Sequence, residues 1–258
     1  MDRAFQIESA PEPRPDGLFG LVFSLAAVCV IASLALSLAT GLAALIVYLR
    51  FGWPYLHDLI KTWFDLTQTG RPEDLTPVGL VLGCAIYIAA ILGLRVIAQV
   101  RAGRAWPLLL AWTPFRADRL YWWLVGAAMA YGLGASLALG YLHPSAKTWF
   151  AIPDSPLAVV SAFVLVVVLA PLSEEWLFRG WIYTALRWRF GFAAALWASA
   201  ILFAIAHWEA THLYALAILP MGLVLGYVRE RTGSTKATTL FHMIYNFSGL
   251  ALTFLGKV

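Results

Sequence analysis

The sequence predicts an all-α polytopic membrane bundle of about seven transmembrane helices. Three observations carry this. Hydrophobic residues fill 61% of the 258 positions and charged residues only 12%, where soluble domains carry about 25% charged. Mean hydropathy is +0.77. Several largely apolar runs reach roughly 18 residues or more, the length a helix needs to cross the hydrocarbon core.

The first 17 residues are polar, acidic and Pro-rich. They lack the basic start of a signal peptide and read as a short disordered cytoplasmic tail. Seven spans follow, near 18–49, 76–100, 119–142, 157–190, 192–208, 212–228 and 237–255. A break in either of the two longest segments would make eight. Between the first two spans, YLHDLIKTWFDL at 55–66 sets Leu56, Leu59, Ile60, Trp63 and Phe64 on one helical face. That pattern predicts an interfacial amphipathic helix. The chain therefore divides into the tail (1–17), an N-terminal membrane region (18–150) and a C-terminal membrane core (151–258). Most of the 12 Trp residues lie near span ends, as interfacial belts do.

Thirteen of the 18 Lys and Arg residues fall on the side that holds the N-terminus. The positive-inside rule then puts the N-terminus in the cytoplasm of a cell-membrane protein. The net charge of +4 comes from these loop clusters. There is no Gly-rich phosphate loop and no basic stretch interleaved with aromatics, so nucleic acid is not an expected partner. Membrane lipid is. Cys29 and Cys84 sit in apolar segments without CxxC spacing and read as small buried hydrophobes.

Ionisable residues inside spans are expensive and usually functional, and the second half of the chain has them. Glu174 and Glu175 lie inside the fourth span, after Pro171. Glu175 and Arg179 are four apart, share a helix face and can pair. Glu174 points about 100° away and stays free to work as a general base. His207 ends the run FAIAH in the fifth span. His242 and Asn246 in the seventh are four apart, so both point at one neighbour. A structural histidine and plain helix–helix hydrogen bonding are the bland alternatives.

Register links these groups. Glu174 and His207 are each about 22 Å of helix from a tight turn near Phe190-Gly191. A hairpin there sets them at one depth, and His242 and Asn246 enter from the same side. HWEATH at 207–212 is not the HExxH zinc motif, because its histidines are five apart instead of four.

EExxxR, FxxxH and HxxxN, each on its own apolar helix, resemble the CPBP intramembrane peptidases, the family of type II CAAX prenyl endopeptidases and Abi-type bacteriocin-processing proteins. The stretch GLVLGYVRERTGSTKATTLFHMIYN (222–246) is also similar. The resemblance covers about 157–250 and makes 151–258 the expected catalytic core. It implies a peptide or protein substrate and an endopeptidase of glutamic type. Glu174 would activate water and His207 would position it or carry its proton. His242 and Asn246 would stabilise the oxyanion, and Glu175 and Arg179 would support the site. No cofactor is required on this reading. A zinc-dependent version would use Glu174, His207 and His242 as ligands. A non-catalytic immunity or regulatory protein of the same fold, or an ion carrier using the same buried groups, would share these features.

Overall fold

The computed structural model describes residues 17–69, 76–142, 156–208 and 213–255. The tail expected at 1–17 lies outside this range except for Gly17. The described residues are almost wholly helical and contain no strand. Five stretches are long and apolar enough to cross a membrane: Phe19–Thr62, Gly79–Leu109, Arg119–Leu139, Pro156–Ala206 and Leu213–Thr232. The fourth folds back on itself, and a further long helix closes the described chain. The protein is a multi-pass all-α membrane bundle.

Helix α1 (Leu18–Thr69) bends at Gly52, whose φ of 81° only glycine adopts without strain. The arm beyond the bend covers the expected interfacial helix, joined directly to the first span. Leu56 is buried, while Leu59, Ile60 and Phe64 are exposed, so much of this apolar face is turned away from the protein. Helix α2 (Thr76–Ala102) runs antiparallel along α1. Arg101 donates to Ser24 at one end of this contact, and Gly93 meets Val28 further along.

The stretch 103–118 has more structure than a loop. A 3₁₀ turn (Gly103–Ala105) and the short α3 (Trp106–Leu109) lead into extended chain that tucks into the bundle. Leu110 is fully buried. The amide of Thr235 donates to the Ala111 carbonyl at 2.8 Å, and the Thr235 hydroxyl donates to the Leu110 carbonyl at 2.9 Å. An orphan donor at a helix start and carbonyls in irregular chain thereby satisfy each other inside the protein.

Helix α4 (Arg119–Leu142) is capped by Asp118, which accepts from the Tyr121 amide at 2.9 Å. Its other carboxylate oxygen accepts from Arg231. That guanidinium, helped by the Tyr121 amide, holds the Asp118 carboxyl below the usual carboxylate range.

Pro156–Ala206 is one helical path with two π segments in it. Helix α5 (Pro156–Ala162) passes into a π stretch, Phe163–Leu169. Helix α6 (Ala170–Glu174) carries Pro171 and passes into a second π stretch, Glu175–Ile182. Helix α7 (Tyr183–Ala206) then folds back at Gly191, where φ is 83°. This is the hairpin that the register argument requires. Helix α8 (Leu213–Thr232) and helix α9 (Thr235–Leu255) are joined through Gly233, with φ of 66°. Counting α5–α7 as two arms gives seven rods among the described residues.

Helices α7 and α8 pack at backbone distance. A Cβ on Gly222 would sit 3.2 Å from Ala200 Cα and 3.3 Å from its carbonyl oxygen, and one on Gly226 would meet Leu196 at 2.8 Å. Small residues four apart allow this approach in a membrane. Backbone cannot yield as a flexible side chain can. Gly222→Leu is therefore expected to cost about 3 kcal/mol or more by overpacking. The check is a lowered Tm, or loss of monodisperse protein, in detergent.

Candidate active site

The π segments do local work for the site. At the end of the first, the Ala170 amide bonds to the Leu165 carbonyl, five residues back. The Val166 carbonyl then has no donor on its own helix, because Ala170 is taken and Pro171 has no N–H. Asn246 Nδ2 supplies the missing hydrogen bond from α9 at 2.8 Å. At the end of the second, the Tyr183 amide bonds to the Phe178 carbonyl, again five back. Where the ladder returns to its α spacing it passes over the Arg179 carbonyl. The Arg229 Nε–H of α8 donates to that carbonyl at 3.2 Å. Each irregularity thus pins the Glu-bearing helix to a neighbour.

Glu175 and Arg179 are both fully buried and form the expected i, i+4 pair, with Nη1 to Oε1 at 3.1 Å. Arg179 Nη2 also donates to the Gly222 carbonyl at 3.0 Å, and its guanidinium lies 4.3 Å over the Phe203 ring. His242, 3% exposed, joins the pair through Nδ1, 3.1 Å from Glu175 Oε1. Phe203 is the floor of the cluster. It is fully buried, 4.5 Å from the His207 ring and 5.8 Å from the His242 ring, centroid to centroid.

Glu174 turns the other way, as its position on the helix predicts. Its Oε2 lies 3.9 Å from His207 Nε2 and 4.0 Å from His242 Nε2. Its Oε1 accepts a 2.9 Å hydrogen bond from the hydroxyl of Tyr87 on α2. The tautomers follow from the partners. The Phe203 carbonyl, 2.8 Å from His207 Nδ1, can only accept, so Nδ1 carries the proton there. The Glu175 carboxylate imposes the same on His242 Nδ1. Both Nε2 atoms are turned toward Glu174. Each gap is too long for a direct hydrogen bond and short enough to be bridged by one water.

Glu174, His207 and His242, from three helices, therefore meet at the C-terminal end of the α7 arm. Asn246 lies one turn beyond His242 on α9, with one amide proton already given to Val166. The sequence reading missed Tyr87. A tyrosine in the apolar first half of its span was the available signal, but its spacing names no partner.

The spacing of Glu174 from the two histidines can be compared with that of zinc ligands. Neighbouring ligands on tetrahedral zinc are about 3.4 Å apart, from bonds of about 2.0–2.1 Å. Both separations from Glu174 are wider. Among the described residues no group of three His, Cys, Asp or Glu has metal-holding spacing.

A groove of about 410 Å³ opens next to the cluster between α4, α8 and α9. Its lining is mostly apolar, with Leu133, Leu137 and Leu252 among its walls. Asn246 and Tyr214 also line it, and the Tyr214 ring lies 5.9 Å from His207.

Residues 156–248 match the family model described as type II CAAX prenyl endopeptidase Rce1-like. An Escherichia coli protein described only as an uncharacterized 24.3 kDa protein is 37% identical over 139 residues, which cover 50% of this chain and 62% of that relative. No solved structure gives a significant match. Helices α5 to α8 and most of α9 thus lie in the stretch, residues 156–248, that matches a type II CAAX prenyl endopeptidase Rce1-like domain, in line with the CPBP family that the three motifs resemble.

Proposed function

We propose that the protein is an intramembrane endopeptidase of the cell membrane, with its N-terminus in the cytoplasm, that hydrolyses a peptide bond in a membrane-associated peptide or protein. The observation that carries this is the meeting of Glu174 Oε2 with the Nε2 atoms of His207 and His242, at 3.9 and 4.0 Å, inside the bundle.

A water held between these atoms gives one proton to Glu174 Oε2 and directs its other hydrogen to His207 Nε2. Its oxygen attacks the scissile carbonyl carbon, and the carbonyl oxygen becomes an oxyanion. Donors placed where charge develops are a large part of such catalysis. Asn246 has one free amide proton for this role. His242 Nδ1 already faces Glu175, so Nε2 can donate only when the ring carries both protons. That form also balances the cluster, where two carboxylates face one arginine. As the C–N bond breaks, the carboxylic acid of Glu174 returns its proton to the leaving amine. Atoms and charge balance with water as the only co-reactant.

The apolar groove between α4 and α9 suits the hydrophobic part of a substrate segment arriving from the lipid, since it reaches Asn246. The direct test is cleavage of a membrane-anchored reporter peptide by purified protein in liposomes, read by product mass. Cleavage is expected with wild-type protein. Equal product from Glu174→Gln and from His207→Ala would refute the mechanism.

The reading is metal-free. Activity is therefore expected to stay within about twofold of its starting value after dialysis against EDTA or treatment with 1,10-phenanthroline. Loss under the chelator with recovery on adding zinc would replace it by a zinc mechanism through Glu174, His207 and His242.

A further inference from the structure

Glu174 has two oxygens, and its neighbours treat them differently. Oε2 faces both imidazole Nε2 atoms, while Oε1 is bound by the Tyr87 hydroxyl at 2.9 Å. A carboxylate on a flexible stem can rotate and present either oxygen. A hydrogen bond from a phenol fixed on another helix removes that freedom.

Tyr87 comes from α2, outside the residues 156–248 that match the family. Helix α2 packs against α6 and both π segments, so the contact belongs to an extended interface. Further along that interface a Cβ on Gly83, four residues before Tyr87, would meet Leu165 at 2.8 Å. Gly83 thus makes room for the Leu165 side chain, and this packing brings the two helices close on the turn next to Tyr87.

We propose that Tyr87 is a positioning residue for the reaction: it holds Oε1 of Glu174 so that Oε2 alone faces the two histidines and receives the proton from water. The proposal rests on the general-base reading of Glu174. It makes the N-terminal membrane region part of the working site, because the matched domain alone leaves its base free to rotate. A donor to the carboxylate matters only for the chemical step, and substrate binding does not involve it. Hydrogen bonds to charged groups are commonly strong enough for a loss of about 10- to 100-fold in rate.

The test uses the full chain in liposomes with Tyr87→Phe, which removes one oxygen and keeps the ring. The expected result is kcat lowered about 10- to 100-fold, KM within about twofold of wild type, and an unchanged Tm. Unchanged kcat overturns the proposal. So does a loss explained by a raised KM or a lowered Tm, which marks plain packing. Should Tyr87→Phe fail to fold, Tyr87→Met gives the same comparison. The two readings fail separately. Activity retained in Glu174→Gln sinks the general-base reading itself, whereas an inactive Glu174→Gln beside a fully active Tyr87→Phe sinks only this inference.

Discussion

Replacing Glu174 by Gln is expected to lower kcat about 10³-fold or more while leaving the bundle folded. Gln keeps the length of the side chain and an oxygen that can accept the Tyr87 hydrogen bond. It cannot take a proton from water. General-base contributions run to about 10²–10⁴-fold, or about 3–5 kcal/mol of barrier. Glu174 is partly exposed and, among the described residues, has only histidines as ion-pair partners, so little stability depends on its charge. The measurement is single-turnover cleavage of the reporter peptide, with Tm determined on the same preparation. His207→Ala should fall in the same direction. A Gln variant within tenfold of wild type would mean that Glu174 is not the base.

The second large effect concerns stability. Glu175→Ala is expected to unfold the C-terminal core or lower its stability by about 3–5 kcal/mol, because it leaves Arg179 buried without its counter-charge. Arg179 is fully inside the protein and makes the ion pair, the Gly222 contact and the stack on Phe203 at once. His242 also loses the acceptor on its Nδ1. Activity should disappear along with the fold. A double replacement, Glu175→Gln with Arg179→Met, is expected to regain more than half of the lost stability. It removes both charges together and keeps an oxygen for His242. Thermal unfolding of the three variants in one detergent decides the matter. An Ala variant as stable as wild type would show that the pair contributes little.

The second prediction also explains why EExxxR is a useful motif to read. Its first and last letters do different work. Glu175 and Arg179 form a neutralised buried strut, and Glu174 stands one helical step away from it, outside the strut. That division follows from helix geometry and was legible in the sequence. So was the equal depth of Glu174 and His207, since both are set by residue counts from one turn at Gly191. The membrane class, the hairpin and the i, i+4 pairs all depend on local spacing or on composition. Those are properties of a linear string.

The remaining features depend on which helix lies beside which. The sequence by itself determined an all-α membrane bundle and a polar cluster carried on three of its helices. Only the tertiary structure decided that His242 is tied to Glu175, that Asn246 satisfies the Val166 carbonyl, and that Tyr87 holds Glu174. The physical reason is the same in each case. A helix satisfies its own backbone and needs no named neighbour, so apolar sequence leaves the order of packing open. The exceptions are groups that cannot be satisfied locally: a carbonyl passed over by a π turn, a carboxylate in a dry interior, an imidazole nitrogen facing no solvent. Each needs a partner from another helix: Asn246 serves the Val166 carbonyl, Arg229 the Arg179 carbonyl and Glu175 the His242 imidazole.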